Sequence, residues 1–139
     1  MIKNNLIIGT AQLGTNYGIN NTTKIILNEK FNLLNYIITK NINRFDTAYS
    51  YQNSHKILGD WIKFNNNKPT LSTKIPNLNL IKKSIDDIFH TSLKELNVNN
   101  IENLFLHAPE DWHNISIKKF IEKIIKQNKI KNFGLSIYE

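Results

Sequence analysis

Short runs of aliphatic, β-branched and aromatic residues alternate along the chain with longer stretches of helical periodicity. The short runs are LIIGTA (6–11), INRFDTA (42–48), TLSTKI (70–75), IENLFLHA (101–108) and KNFGLSI (131–137). Their length and composition suit buried strands. Between them lie KIILNEKFNLLNYIITK (24–40), SHKILGDWIKF (54–64), LIKKSIDDIFHTSLKELN (80–97) and ISIKKFIEKIIKQNK (115–129). In the third of these, Ile81, Ile85, Ile88, Leu93 and Leu96 fall on one helical face, and in the fourth Ile117, Phe120, Ile121, Ile124 and Ile125 do the same. Ser54 and Asn114 stand where a helix N-cap is expected.

The predicted order is β-α-β-α-β-α-β-α-β, an α/β chain of about five parallel strands and four helices joined by right-handed crossovers. Two architectures satisfy it: an open doubly wound sheet, or part of a closed eight-stranded barrel. No Gly-x-Gly-x-x-Gly follows the first strand, and GTAQLG is not a P-loop, so the dinucleotide fingerprint of the open sheet is missing. No repeat and no Pro/Gly/Ser-rich linker divides the chain, so residues 1–139 read as a single domain.

Composition narrows the function classes. With 139 residues, 40% of them hydrophobic, the chain can bury a sizeable core. It has no cysteine, which excludes disulfides and thiolate metal sites and suits a reducing compartment. The N-terminus lacks a signal-peptide h-region and no apolar run is long enough for a membrane span, so a cytoplasmic protein without a membrane partner is expected. The formal charge is +7, from 18 Lys+Arg against 11 Asp+Glu, and Arg44 is the lone arginine. The lysine groups at 81–83, 117–120 and 126–131 read as solvated helix faces, and no nucleic-acid partner is expected. Asparagine is over-used, including NNN at 65–67, and reads as a bias of composition.

In parallel α/β folds ligands meet the carboxyl ends of the strands. There the second strand carries Asp46, the third Lys74 and the fourth His107, with Tyr51 on the loop past the second. A phenol, with a pKa of about 10, is a poor acid at neutrality unless a cation stabilises its anion. Lys74 could do that, Asp46 could hold the lysine charged and in place, and a neutral His107 could orient a carbonyl oxygen. Such a set can reduce a carbonyl if a cofactor brings the hydride.

GTAQLG, FDTAYSYQNSHKILG, STKI, LFLHAPED and FGLSIY resemble, in that order, the successive strand motifs of the aldo-keto reductase superfamily. In that family a Tyr follows the Asp of Asp-Thr-Ala by five positions, and Lys and His come on the next two strands. The spacing selects Tyr51 rather than Tyr49 as the catalytic phenol. The resemblance implies a (β/α)8 TIM barrel, an NADPH cofactor (NADH possible), no metal, and a small aldehyde, ketone or sugar-like carbonyl as substrate. It implies that Gly9, Thr10 and Asp46 lie near the nicotinamide and that Ser136 contacts its carboxamide. Ile137 stands where the family often has Asn. Tyr49 is pocket wall or core, and Trp112 either walls the pocket or covers the rim. His55 replaces a common Glu and is expected on the surface of the helix start; His90 and His113 are expected to be exposed.

A full barrel takes about 250 residues and eight strands. The expectation is therefore a partial barrel, the N-terminal part of such a domain, with pairing groups open along its first and fifth strands. It would belong to a longer oxidoreductase, or complete itself by self-association or with a C-terminal half-barrel, or persist as a non-catalytic remnant.

Overall fold

Five parallel strands lie side by side in chain order, β1 (Ile8–Gly9), β2 (Arg44–Asp46), β3 (Thr70–Ile75), β4 (Ile101–Leu106) and β5 (Ile130–Leu135). The computed structural model describes residues 6–15 and 25–137; Lys24 of the first expected helix and Tyr138 of FGLSIY lie outside them. Four helices make the crossovers: α2 (Leu27–Thr39), α3 (Ser54–Asn65), α4 (Ile85–Glu95) and α5 (Ile115–Lys126). A single turn, α1 (Ala11–Gly14), follows β1 where the sequence reads as continuing strand. The strand order never reverses, as it must in a doubly wound sheet, so the chain forms an arc of the barrel type. No helix among the described residues is long and apolar enough to cross a membrane.

Strand alternation separates two faces. Phe45, Leu71, Ile75, Leu104 and Leu106 are buried against the apolar faces of the helices, chiefly Leu58, Trp61, Ile88, Phe89, Ile117 and Phe120. The opposite face carries Asp46, Ser72, Asn103 and Asn132 in register. Across it the Asn132 amide donates to Asn103 Oδ1 at 2.9 Å, and the Asn103 amide donates to Ser72 Oγ at 2.9 Å. This concave face is thus a rung of side-chain hydrogen bonds running over three strands.

Local signals set the helix ends. Ser84 Oγ accepts the Asp87 N–H at 3.1 Å and starts α4 later than periodicity suggests, after a 3₁₀ turn at Leu78–Leu80. Asn114 caps α5 as expected, accepting the Ser116 N–H at 2.9 Å. Ser54 does not cap α3; Asn53 holds that position, and Ser54 is buried one residue inside the helix. At the far end, Asn41, Asn66, Asn97 and Asn128 take φ values of 58°, 50°, 53° and 53°, so α2 to α5 all finish on a left-handed asparagine. Behind all four the chain folds back in Schellman fashion, with Ile42, Asn67, Val98 and Lys129 N–H donating to Ile37, Ile62, Leu93 and Ile124 carbonyls. Part of the asparagine excess therefore has a structural job: it turns helix into strand where glycine is the usual choice.

Candidate active site

The carboxyl ends of β2, β3 and β4 bring their polar groups together. Asp46 ends β2 and Lys74 sits one residue before the end of β3. Lys74 Nζ donates to Asp46 Oδ2 at 2.5 Å and to the Thr47 carbonyl at 3.1 Å. The lysine side chain is 9% exposed and the carboxylate 32%. Removing one partner of such a sheltered pair would strand the other's charge.

Tyr51 is carried by the turn between β2 and α3, where its N–H donates to the Ala48 carbonyl and its own carbonyl accepts from Ser54 N–H. A Cβ at Gly14 would lie 2.1 Å from the Tyr51 carbonyl oxygen, so only a bare backbone lets α1 approach this turn so closely. Ser54 Oγ bonds Thr10 O and Thr10 Oγ1 at 2.9 Å each and lies 3.2 Å from Thr47 Oγ1. One buried serine therefore ties the ends of β1 and β2 to α3. From this turn the Tyr51 ring reaches over the strand ends, its centroid 5.6 Å from Lys74 Nζ.

His107 follows β4 directly, its N–H donating to the Ile75 carbonyl at 2.8 Å. Its ring meets that of Tyr51 edge-on, with centroids 6.2 Å apart at 82°. Burial lowers its pKa, the Lys74 ammonium lowers it further, and Asp46 opposes both. The imidazole is therefore held neutral at neutral pH. The four groups singled out in the sequence are thus successive neighbours at one end of the sheet.

Beside them opens a cavity of about 590 Å³, lined by His107, Tyr49, Pro76, Leu80, Ile81 and Pro109 among others. Tyr51 and Lys74 are not part of this lining, so the cavity adjoins the cluster through His107. Tyr49 both lines this cavity and packs against the core, and its hydroxyl accepts from Lys83 Nζ at 3.1 Å. That bond is the main reason the Lys83 pKa is raised. Asp111, 8% exposed, accepts the Leu78 N–H at 3.1 Å and ties the loop after β3 to the loop after β4, both of which wall the cavity.

Other expected positions divide. Trp112 is not among the residues lining the cavity: its ring lies 5.1 Å from that of Phe133, under Lys118 Nζ at 5.2 Å, and packs against the core. Thr10 is buried, and its hydroxyl, N–H and carbonyl are all bonded within the protein. Gly9 pairs with Asp46 and faces open space, since a Cβ there would meet nothing within 4 Å. Ser136 follows β5 at the same rim, its N–H donating to the Leu106 carbonyl at 2.9 Å. His90 and His113 are exposed as expected. His55 is not: it is 1% exposed, turned inward with Nε2 2.8 Å from Thr73 Oγ1. The sequence reading missed Ser54, Asp111 and Lys83 as well. Ser54, inside FDTAYSYQNSHKILG, and Asp111, inside LFLHAPED, lay in motifs already associated with the site, but nothing in their spacing separates the one from a helix cap or the other from a surface acid.

The sequence profile described as the Aldo/keto reductase family matches residues 5–139. The chain belongs to the aldo/keto reductase family. No curated protein sequence matches it, but solved aldo-keto reductases share its fold. One from Pseudomonas aeruginosa superposes with a TM-score of 0.76 at 22% identity, over 94% of this chain and 54% of that one. One from Klebsiella pneumoniae, in complex with NADPH, gives 0.69 at 19% identity, over 96% of this chain and 45% of that one. A third, from Bacillus halodurans in its holo form, gives 0.71 at 21% identity over 94% and 45%. The chain thus spans about half the length of the structures it matches.

A nicotinamide cofactor fits what the aldo/keto reductase arc presents. The unfilled space at Gly9 adjoins Asp46, and Ser136 stands at the same rim two strands beyond Lys74. The Thr10 side chain is fully engaged in the Ser54 staple, so at that position only the shape of the turn is on offer.

Proposed function

We propose that the chain carries the reaction centre of an NAD(P)H-dependent oxidoreductase that reduces an aldehyde or ketone to an alcohol. One observation supports this above the rest: Lys74, paired with Asp46, lies 5.6 Å from the Tyr51 ring centroid, and that ring abuts His107. Tyr51 donates the proton to the carbonyl oxygen. Lys74 stabilises the phenolate left behind, in a place sheltered enough for the attraction to be strong. Asp46 keeps the lysine charged and aimed. His107, neutral, donates a hydrogen bond to the carbonyl oxygen and orients it. Hydride is what these groups cannot supply, and a bound NADPH, or NADH, would supply it. Gly9, Asp46 and Ser136 are the residues that would lie along it, while Tyr49 and its neighbours would receive the rest of the substrate.

The test is Tyr51→Phe, read by oxidation of NADPH with a small aldehyde. Carbonyl reduction should fall by about 10²-fold or more while cofactor affinity stays nearly unchanged. A fall below about tenfold, worth only about 1.4 kcal/mol of transition-state stabilisation, would mean that another group gives the proton.

A second reading has its own support: β1 and β5 each pair on one side only among the described residues. Here the arc is a half-barrel module that works, or merely binds, once a second copy or a C-terminal half-barrel covers those edges. Activity that appears only with association, followed by sedimentation, separates it from the first.

A further inference from the structure

Behind Lys74, on the helix side of β3, lies a group the proposed chemistry does not use. His55, in the first turn of α3, is 1% exposed, and burial lowers its pKa to about 4. The ring is therefore neutral, and its single proton can sit on either nitrogen. Nε2 is 2.8 Å from Thr73 Oγ1, a hydroxyl able to give or accept. Nδ1 has no hydrogen-bond partner and lies 3.7 Å from Glu95 Oε2, a carboxylate able only to accept. An unprotonated Nδ1 would set a lone pair against that anion, whereas Nδ1–H presents it with a positive edge. At 3.7 Å the contact is electrostatic rather than a hydrogen bond, yet it chooses the tautomer. Nε2 is then left to accept the Thr73 hydroxyl proton.

The same ring also meets Tyr49 edge-on, with centroids 6.4 Å apart at 75°. Tyr49 walls the cavity, and its N–H donates to the Lys74 carbonyl at 3.2 Å. Thr73 precedes Lys74 in β3. One imidazole thus contacts both the residue that precedes the lysine and the one whose N–H bonds the lysine carbonyl. Gly59, one turn along α3, makes the Glu95 contact possible: a Cβ there would lie 1.9 Å from the Glu95 carbonyl oxygen. An aliphatic side chain would fill this volume without burying an unpaired nitrogen, so the nitrogens need a reason.

We propose that Glu95, His55 and Thr73 form a brace behind the site, in which His55, as the Nδ1–H tautomer, is a positioning residue for the Tyr49 wall and for Lys74. The positioning role rests on the carbonyl-reductase reading; the tautomer does not. The groups facing the ring are Glu95 from α4, the Thr73 hydroxyl from β3, and Tyr49 from the loop with the Lys83 ammonium on its hydroxyl. On its own helix Lys56 and Asp60 pair with each other at 3.3 Å.

Nitrogen-15 spectra of histidine-labelled protein between about pH 6 and 8 test the tautomer directly. His55 Nδ1 should be protonated and Nε2 not, unchanged across that range, and Glu95→Gln should abolish the preference. Protonation at Nε2, titration of the ring within that range, or indifference to Glu95→Gln would each overturn the brace. The kinetic arm uses NADPH and a small aldehyde. His55→Gln, whose amide can reach Thr73 as Nε2 does, should retain most activity, while His55→Asn should raise KM about fivefold with kcat within about threefold. Equal KM in the two variants and the parent would also overturn it. If the parent reduces no carbonyl, the functional reading falls instead, and the nitrogen spectra on the unmutated protein still decide the brace.

Discussion

Lys74 and His55 lie on opposite sides of β3, and they answer to different surroundings. The Lys74 ammonium is held by a carboxylate and a carbonyl, and in the proposed reaction it would support the phenolate formed at Tyr51. In Lys74→Met that support is gone. The expected outcome is a loss of about 10²-fold in kcat/KM at neutral pH and a pH–rate profile displaced toward higher pH. An unchanged profile would remove Lys74 from the mechanism. His55 matters instead to stability. Its folded pKa of about 4 lies below the ordinary histidine value of about 6.5, so the unfolded chain binds the proton more readily. Its contribution is fully present above about pH 6.5 and drains away as pH falls toward 4, by roughly 3 kcal/mol in all. His55→Gln, which cannot titrate, should flatten that part of the acid-unfolding curve, as urea denaturation at a series of pH values will show.

At the scale of elements, the loops and helix ends decide where the site residues go. The repeated left-handed asparagines make a direct prediction. Asn97→Ala should cost about 1 kcal/mol, because a Cβ without a compensating amide disfavours φ near 53°. Asn97→Gly should be neutral or slightly stabilising. Equal urea midpoints for the two variants would mean that Asn97 is not held in this conformation. These ends also show what a sequence discloses. Strand and helix alternation is written locally in apolar period, and Asp46, Tyr51, Lys74 and His107 stand at strand ends that the pattern locates. Ser54 looked like a cap because its type suits one; a contact with Thr10, 44 positions away, makes it a buried staple instead. His55 looked exposed because helix starts commonly are, and Gly59 and Glu95 closed over it only in three dimensions. Trp112 was open between wall and rim until Phe133, on another strand, took its ring.

For the whole molecule, the two sheet edges and the net charge act against each other. Leu6, Ile7 and Ile137, beside the outer strands, are 57%, 49% and 76% exposed, and they adjoin edge groups able to pair with another strand. A formal charge of +7 keeps copies apart at low ionic strength. Raising salt to about 0.5 M shrinks the screening length to a few ångströms, and sedimentation should then shift toward larger species. A single unchanged monomer peak across that range would show the edges to be protected. The amide rung formed by Asn132, Asn103 and Ser72 bears on the same balance. Bare aliphatic groups there would drive any two arcs together face to face, indiscriminately. A hydrated, already mated row of amides offers no such reward, so the hollow can stand wet, and only a newcomer bringing its own complementary polar contacts gains by entering.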